Sequence, residues 1–384
     1  MEKKMMRKII LQTVCVFLVG VGSTHSLWAT DLSVRVFSEL TVKKFKFTTV
    51  LGSYKVLDAN NALIVDIPQG ESVILEVDDD EVKMLEADKL IGKYPAVSFD
   101  GGGIKSIFKI SPEPNSINTE RFYDDHLEVS IENNQFFIVN VVDLENYVAG
   151  VIQSEVHGSS DELDFLKIQA LISRTYAMNN MQKHAKEGYH LCDGVHCQAY
   201  KSRNNQSAML MAAKETEGQV IVDSAKNIIT ASFYSNSGGQ TCNSEDVWAI
   251  PVPYLRSIVD TFSLEGRNAV WEKRMPQQEW LNFLQKTYHY PIANTKMRDS
   301  ALNFTQNERK VYFCGQIPLK FIRRDLNLRS TFFSVSSDGT TVTLNGKGYG
   351  HAVGLSQEGA MRMIELGFSI TDVILFYYPG VEIL

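Results

Sequence analysis

Residues 143–152 read Asp-Leu-Glu-Asn-Tyr-Val-Ala-Gly-Val-Ile, and residues 161–183 read Asp-Glu-Leu-Asp-Phe-Leu-Lys-Ile-Gln-Ala-Leu-Ile-Ser-Arg-Thr-Tyr-Ala-Met-Asn-Asn-Met-Gln-Lys. The first stretch predicts a short helix through Ile152, capped by the side chain of Asp143. The second predicts a long helix, because its apolar residues recur at helical spacing and form one stripe. The residues between them, 153–159, are predicted to be a loop. We therefore expect a helical pair dominated by a long central helix.

Upstream of this pair, residues 31–140 show the alternation of apolar and polar residues that is typical of half-buried strands. The clearest runs are Leu32–Phe37, Ala62–Ile67, Ser72–Val77, His126–Ile131 and Gln135–Val141. The predicted fold class is therefore α+β. A β-rich N-terminal region at residues 30–141 precedes a mixed region at residues 142–384 that carries the long helix.

Downstream of the pair, helices and strands are expected to alternate. Helices are predicted near residues 205–215, 276–288 and 357–367, and strands near 218–222, 228–234 and 309–345. Residues 270–345 are a candidate subdomain within this region.

The first 29 residues are predicted to be a signal peptide. A basic start of Lys3, Lys4, Arg7 and Lys8 precedes the apolar run Ile9–Val21, which has the length of a signal-peptide core. Retention as an N-terminal membrane anchor is the alternative. In both cases the chain is expected to be exported, to the periplasm, the cell wall or the extracellular space.

The composition excludes several classes of protein. A hydrophobic fraction of 44% with 22% charged residues is typical of a folded chain and not of a disordered one. A formal net charge of -7 argues against broad electrostatic binding to nucleic acid, so no nucleic-acid partner is predicted. Five cysteines in 384 residues are too few for a disulfide scaffold.

One short segment concentrates ligands that metals prefer. Two imidazoles and two thiols lie within eight residues, at His190, Cys192, His196 and Cys197, and make a candidate tetrahedral zinc set. His184 is a spare ligand. A disulfide between Cys192 and Cys197, or two free thiols, is the alternative.

Several different motifs follow one another along the chain from about residue 144 to its end. They are Leu144-Glu-Asn-Tyr-Val-Ala-Gly-Val-Ile-Gln-Ser-Glu-Val156, Leu166-Lys-Ile-Gln-Ala-Leu-Ile-Ser-Arg-Thr-Tyr-Ala177, His196-Cys-Gln-Ala-Tyr200, Tyr234-Ser-Asn-Ser-Gly-Gly-Gln-Thr241, Val247-Trp248 before Pro253-Tyr-Leu255, and Gly348-Tyr-Gly-His-Ala-Val-Gly-Leu-Ser-Gln-Glu-Gly-Ala360 before Phe376-Tyr-Tyr-Pro-Gly-Val381. In residue type and order they resemble the stage II sporulation protein D (SpoIID/LytB) family, and the resemblance spans roughly residue 31 to the end of the chain.

The resemblance implies a lytic transglycosylase, which cuts peptidoglycan between N-acetylmuramic acid and N-acetylglucosamine and leaves a 1,6-anhydro end. It implies glycan strands denuded of their stem peptides as the substrate, with other cell-wall hydrolases as further partners. The position of the family's catalytic glutamate is Glu155. Some family members carry zinc near residues 190–197, so a structural zinc ion is expected there, with no cofactor required for the chemistry.

Without the resemblance, the residues themselves support a catalytic role for Glu155 less strongly. Cleavage of a glycosidic bond needs a proton donor for the leaving oxygen. A lytic enzyme uses the C6 hydroxyl of its own substrate as the nucleophile, so one carboxyl group can serve first as acid and then as base. Glu155 lies in the predicted loop, where its side chain could reach a groove beside the apolar Ile152 and Val156. A solvent-exposed loop glutamate is the alternative.

Further residues are predicted to bind the sugar. Arg174 and Lys167 share one face of the long helix, and Arg174 could bond the sugar or orient Glu155. The other candidates are Tyr234, Ser237, Gln240, His351 and Gln357. For Arg174 and Lys167 the alternative is a solvated helix face. For Tyr234, Ser237 and Gln240 it is a tight turn at Gly238-Gly239, and for His351 and Gln357 it is a buried structural role.

Two other functions are compatible with the sequence. A non-catalytic cell-wall module of the amidase-enhancer kind would bind glycan and stimulate another hydrolase. A two-carboxylate glycoside hydrolase would need a second acid, for which Glu145, Asp161 and Glu162 are the candidates.

Overall fold

The computed structural model describes residues 31–113, 119–156 and 160–384, without the side chains of residues 103 and 104. Residues 31–384 form one compact unit. The predicted signal peptide at residues 1–29 lies outside the described residues. No helix in the described ranges is both long and apolar enough to cross a membrane.

The N-terminal third of the unit, residues 31–143, forms most of a large sheet, as the alternating pattern predicts. Its strands are β1 (Asp31–Arg35), β2 (Lys44–Asp58), β3 (Leu63–Pro68), β4 (Ser72–Asp78), β5 (Glu81–Glu86), β6 (Lys89–Tyr94), β7 (Ala96–Pro112), β8 (Arg121–Asp124), β9 (His126–Glu132), β10 (Gln135–Asp143) and β11 (Leu191–Cys192). The main path through the sheet is β11-β1-β10-β9-β7-β2-β4-β5-β6, with β3 on β2 and β8 on β7. The central strands β2, β7, β9 and β10 pair antiparallel in this path.

Besides this sheet, the described residues contain nine α-helices. They are α1 (Leu144–Val156), α2 (Leu163–Asn179), α3 (Ser207–Glu215), α4 (Ser244–Trp248), α5 (Gln277–Tyr288), α6 (Thr295–Leu302), α7 (Leu319–Asp325), α8 (Gln357–Glu365) and α9 (Ile370–Tyr377). Together with the sheets they confirm the predicted α+β class.

The predicted cap of α1 is confirmed. One carboxylate oxygen of Asp143 accepts hydrogen bonds from the backbone nitrogens of Glu145 at 2.9 Å and Asn146 at 3.2 Å. The predicted end of this helix is wrong, since α1 continues past Ile152 to Val156. The hydroxyl of Ser154 donates to the carbonyl of Gly150 at 2.9 Å within the helix and accepts from the backbone nitrogen of Lys201 at 3.0 Å.

Helix α2 is shorter than predicted and more deeply buried. It ends at Asn179, where the side chain of Asn180 donates to the carbonyl of Tyr176 at 2.8 Å. Buried residues occur on all of its faces, including polar ones such as Gln169 and Ser173. The predicted single stripe is therefore wrong, because the helices α1, α3, α8 and α9 all pack against this helix.

The small strands of the C-terminal half join segments that are far apart in sequence. They are β12 (Ile221–Val222), β13 (Phe233–Tyr234), β14 (Val270–Pro276), β15 (Tyr312–Phe313), β16 (Ile317–Pro318), β17 (Phe333–Ser337), β18 (Thr341–Lys347), β19 (Leu355–Ser356) and β20 (Glu382–Ile383). β13 pairs parallel with β19, and β12 pairs antiparallel with β20. The predicted all-strand stretch at residues 309–345 is interrupted by α7.

Two hydrophobic cores hold the unit together. The larger extends from Leu32 to Val381 and so joins the N-terminal sheet to the region after residue 142. The smaller contains only residues between Met275 and Leu344, around the fully buried Trp280. This second core lies within the range predicted as a subdomain, and we call residues 270–345 the inserted segment.

Candidate active site and metal centre

A single large groove of about 1220 Å³ brings several motifs together. Its walls come from the end of α1, the end of α2, the β13 and β19 region, α8 and the inserted segment. Among its lining residues are Glu155, Tyr176, Tyr234, Trp248, His351 and Gln357. A groove of this size exceeds what a single small ligand requires and suits an extended oligomer.

Glu155 lies in the last turn of α1 and lines this groove. Its prediction as a loop residue is therefore wrong. The side chain is half-buried, and one carboxylate oxygen accepts a hydrogen bond from the backbone nitrogen of Ala199 at 2.8 Å. Burial raises the pKa of the Glu155 carboxyl, although the Ala199 bond and the nearby Lys201 partly oppose this shift. A raised pKa keeps a carboxylic acid available as a proton donor closer to neutral pH.

An aromatic wall forms another part of the groove. The ring of His351 lies 5.2 Å from Tyr234 on one side and 5.2 Å from Trp248 on the other, measured between centroids. Trp248 keeps 43% of its surface exposed, which is unusual for so large a side chain. An exposed indole in a groove offers an apolar face on which a sugar ring can stack.

The imidazole of His351 in this wall is neutral and is held in place by hydrogen bonds to the backbone. Burial, with the charge of Arg323, lowers the pKa of His351 to about 4. Nε2 lies 3.0 Å from the carbonyl of Phe233, and Nδ1 accepts from the backbone nitrogen of Val353 at 3.2 Å. Because both ring nitrogens bond to backbone, the ring holds β13 against the loop before β19.

The glycine-rich motifs around Ser237 and His351 pack backbone against backbone. Asn236 and Tyr349 exchange two main-chain hydrogen bonds of 3.0 and 2.8 Å. Gly238 and Gly348 both have positive φ, and a Cβ on either would lie within 2.6 Å of the other segment's backbone. The glycines therefore serve a close crossing of two segments, and this crossing fixes Tyr234 and His351 in the groove wall.

Gln357 lies at the start of α8, lines the groove and is nearly buried. Its amide donates to the side-chain oxygen of Gln169 at 3.1 Å, and Gln169 in turn donates to Ser173 at 3.2 Å. This amide chain connects α8 to the central helix.

Arg174 does not line the groove. It is fully buried and forms a two-point ion pair with Glu145, with Nε 2.8 Å from Oε1 and Nη2 2.5 Å from Oε2. The guanidinium also donates to the carbonyl of Ala213 at 3.0 Å and to Thr216 and the carbonyl of Gln219 at 3.3 Å. The helix face that we predicted to face a sugar instead joins α1, α2 and the C-terminal end of α3, where a cation is favourable.

The remaining predicted sugar ligands also lie outside the groove lining. Lys167 pairs with Glu215 at 2.8 Å and with Asp164 at 3.4 Å. Ser237 is fully buried and donates to Asp260 at 2.7 Å. Gln240 lines a smaller adjoining cleft of about 150 Å³, where its amide oxygen accepts from the backbone of Arg309 at 2.9 Å in the inserted segment.

A cluster of four metal-binding side chains lies beside the groove, and two of its members line it. The potential ligand atoms of His184, Cys192, His196 and Cys197 all lie within 4.8 Å of one another. The sulfur of Cys197 is 3.6 Å from Nε2 of His184, and the sulfur of Cys192 is 3.8 Å from Nδ1 of His196. In a tetrahedral site with ordinary metal–sulfur and metal–nitrogen bonds, these separations would be about 3.6 Å. The cluster could therefore hold a metal ion.

The surroundings of the cluster also fit a metal. Glu187 lies 2.8 Å from Nδ1 of His184 and so directs Nε2 toward the cysteines, as a second-shell carboxylate does. Cys192 and Cys197 are both free thiols. Their mutual hydrogen bond lowers the pKa of Cys197 to about 6 and raises the pKa of Cys192, so one of the two sulfurs is a ready thiolate ligand.

The predicted ligand His190 is not part of the cluster, and His184 takes its place. Nδ1 of His190 accepts a hydrogen bond from the backbone nitrogen of Ser33 at 3.0 Å, beside β1. The backbone of His190 also donates to Ser33 at 2.9 Å. The parallel pairing of β1 with β11 thus uses His190 for the sheet and places Cys192 in the cluster.

The proposed second acids for a hydrolase do not line the groove either. Glu145 is bound by Arg174, and Asp161 and Glu162 are exposed at the start of α2. Other acids do line it: Glu265, Glu358 and Glu365. Glu358 accepts from the side chains of Asn236 at 2.7 Å and Asn268 at 2.5 Å and so fastens a loop to α8.

The sequence interpretation missed several groove residues. Tyr176 and Trp248 were noted only as parts of motifs, and Arg323 was not singled out at all. For Trp248, a signal existed: tryptophan in a short polar segment is uncommon unless it is buried or binds a ligand. Arg323 carried no signal, because its place in the groove depends on how the inserted segment packs.

Comparison with known proteins agrees with the site. The family model described as SpoIID, stage II sporulation protein, matches residues 132–222, which contain α1, α2 and the metal cluster. The stage II sporulation protein D of Bacillus amyloliquefaciens is 31% identical over 273 residues, or 64% of this chain and 75% of that protein.

Two relatives from Bacillus subtilis (strain 168) are also similar. Its stage II sporulation protein D is 27% identical over 297 residues, covering 71% of this chain and 84% of the relative. Its amidase enhancer is 28% identical over 287 residues, covering 60% of this chain but only 39% of the relative. With motifs, geometry and these similarities in agreement, the chain belongs to the stage II sporulation protein D (SpoIID) family.

Proposed function

We propose that the protein is a lytic transglycosylase that cleaves peptidoglycan glycan strands between N-acetylmuramic acid and N-acetylglucosamine. The observation that carries this proposal is Glu155, a half-buried carboxyl group with a raised pKa on the wall of a groove large enough for several sugars. Such a substrate lies outside the cytoplasmic membrane, so the function requires export, in line with the signal peptide predicted at residues 1–29.

The reaction can be written with one protein acid. Protonated Glu155 gives its proton to the glycosidic oxygen while the bond from that oxygen to C1 of the muramic acid breaks. The C6 hydroxyl of the same sugar then forms a bond to C1, and the Glu155 carboxylate takes the hydroxyl proton. The products are a new N-acetylglucosamine end and a 1,6-anhydro end, with no water consumed. Ala199 keeps the carboxyl in place through its backbone nitrogen.

Product analysis tests this reaction directly. Purified denuded glycan strands are digested with the mature protein and the fragments are weighed by mass spectrometry. Fragments with anhydro ends are expected. Each is lighter than the corresponding hydrolytic fragment by the mass of one water molecule, about 18 mass units, because lytic cleavage adds no water. Reducing ends would instead assign a two-carboxylate hydrolase. Tight glycan binding without fragments would assign a binding module, as the similarity to an amidase enhancer allows.

Trp248 is proposed to stack on a sugar ring of the bound strand. Trp248→Ala is expected to weaken glycan affinity roughly tenfold while leaving the melting temperature unchanged, because the exposed indole packs little of the core. Isothermal titration with a glycan oligomer measures this. Tyr312→Ala is the control, since Tyr312 is 50% exposed and lies outside the groove. Equal losses in the two variants would contradict the stacking role.

We further propose that the bound metal is zinc, held by His184, Cys192, His196 and Cys197. Two thiolates and two imidazoles are a donor set that zinc prefers. With four protein ligands the ion would leave no position open for water, so it would stabilise the loop that ends in the groove wall. The reaction itself requires no metal-bound nucleophile.

Two histidine variants test which residues bind the metal. Protein purified without added metal is expected to contain one zinc ion, and its removal should lower the melting temperature by several degrees. His184→Ala should abolish zinc binding and His190→Ala should retain it, as elemental analysis will measure. Zinc content near zero, with no titratable thiol at Cys192 and Cys197, would instead indicate a disulfide between them.

A further inference from the structure

One arginine of the groove has unused hydrogen-bonding capacity. Arg323 lies in the last turn of α7, in the inserted segment, and lines both the groove and the adjoining cleft. Its Nε donates to the carbonyl of Leu328 at 3.3 Å, and its own carbonyl accepts from the Leu328 backbone at 2.8 Å. Within the described residues, its two terminal nitrogens have no hydrogen-bond or ion-pair partner. The guanidinium is thus fixed at its base and open at its tip.

The other cations that line the groove are either paired within the protein or open to solvent. Arg362 pairs with Glu365 at 3.0 Å, whereas Arg267 is 76% exposed and lies 3.8 Å from Glu358. Lys183 donates to the phenol oxygen of Tyr176 at 3.3 Å and to a backbone carbonyl. Arg323 differs from these residues because it is half-buried and, among the described side chains, no carboxylate pairs with it.

Among the described residues, no carboxylate neutralises the guanidinium of Arg323. Burial lowers the pKa of Arg323, the phenol of Tyr349 opposes this shift, and the like charge of Arg309, also in the inserted segment, adds to it. The guanidinium of Arg309 is held by the carbonyls of Gln240 and Ser237, both at 2.6 Å. His351 is neutral at physiological pH and contributes no charge. A half-buried cation without a counter-ion is costly, and an anionic ligand in the groove would relieve that cost.

The proposed substrate offers one anion of suitable chemistry. N-acetylmuramic acid differs from N-acetylglucosamine by a lactyl ether at C3. The lactyl carboxylate is free in a denuded strand, whereas in a peptide-bearing strand it is an uncharged amide. A guanidinium binds a carboxylate through two parallel hydrogen bonds and an ion pair, and it binds an amide oxygen far less strongly.

We propose that Arg323 is the specificity-determining residue that recognises the free lactyl carboxylate of muramic acid in the groove. The inference rests on the proposed function, since it assumes that a glycan strand occupies the groove. It assigns the inserted segment a role: this segment supplies the group that distinguishes denuded glycan both from peptide-bearing glycan and from a polymer of N-acetylglucosamine alone.

Binding to the Glu155→Gln protein tests the inference without turnover. Three tetrasaccharides of equal length serve as probes: a denuded glycan, the same glycan with its lactyl groups converted to methylamides, and an N-acetylglucosamine tetramer. The denuded glycan is expected to bind roughly tenfold to a hundredfold more tightly than either of the others. Adding Arg323→Gln should remove that preference and leave the affinity for the N-acetylglucosamine tetramer unchanged.

A neighbouring residue provides the control. Arg324→Gln should leave all three affinities unchanged, because Arg324 is 69% exposed, pairs with Asp325 and does not line the groove. Arg323→Lys should keep part of the preference, since it retains the charge but not the paired donors. An unchanged preference in Arg323→Gln, or an equal loss for all probes, would overturn the proposal.

The proposed reaction and the role of Arg323 fail in different ways. If the intact protein yields no anhydro ends but keeps an Arg323-dependent preference for free carboxylates, the reaction is rejected and the recognition role stands. If anhydro ends form but the preference does not depend on Arg323, the reaction stands and the recognition role is rejected. Absence of binding to every probe rejects both.

Discussion

Glu155→Gln is expected to reduce the formation of anhydro ends by about 10²–10⁴-fold, the usual contribution of a general acid or base. The amide has the shape of the acid and can still accept the hydrogen bond that the backbone nitrogen of Ala199 makes at 2.8 Å. It cannot give a proton to the glycosidic oxygen or take one from the C6 hydroxyl. Glycan affinity and melting temperature should therefore change little while turnover collapses. Initial rates on denuded strands, followed by mass spectrometry, measure the loss.

The matched control is Glu265→Gln, the same change on another glutamate of the same groove. Glu265 is 77% exposed, and its ion pair with Arg362 is a surface contact of 3.5 Å. We expect near-normal rates for this variant. A comparable loss in both variants would point to two cooperating carboxylates and hence to hydrolysis. Near-normal turnover by Glu155→Gln would reject the one-acid mechanism.

Arg174→Met is expected to lower the free energy of unfolding by about 3 kcal/mol, the order found when one partner of a buried ion pair is removed. The substitution leaves Glu145 without its partner, although that side chain keeps 22% exposure and can be partly hydrated. It also removes the donor to the buried carbonyl of Ala213. Three helices lose their common contact, so the loss should appear in denaturant unfolding.

Arg256→Met is the surface counterpart of this change. Arg256 makes the same two-point pair with Glu245, but both side chains are 35% exposed, so a loss of about 1 kcal/mol or less is expected. Arg174→Lys should fall between the two, because an ammonium cannot reproduce the fork of donors. A stable Arg174→Lys protein with weakened glycan binding would contradict the structural role and restore the predicted contact with sugar.

Local patterns predicted the cap of α1 and three of the four residues of the metal cluster. Asp143 caps α1 because an aspartate side chain needs only the next two or three backbone nitrogens, which the sequence itself supplies. Cys192, His196 and Cys197 come together because they are five or fewer residues apart. The sequence pattern could not choose between His184 and His190, since that choice depends on β1, which is more than 150 residues away and binds His190.

The sequence by itself determined the α+β class, the β-rich region at residues 30–141 and the central helix, because each follows from spacing within short segments. The choice of Glu155 rests on the resemblance of the motifs to the family in residue type and order. The tertiary structure alone decided that the Glu155 carboxylate is held in the groove wall, that Arg174 is buried and that Arg323 reaches the groove. Each depends on partners distant in the chain: residue 199 for Glu155, residue 145 for Arg174, and the packing of the inserted segment for Arg323. The burial and ion pairing of a charged side chain depend on which parts of the chain pack together in the fold. Periodicity within one segment carries no information about that packing.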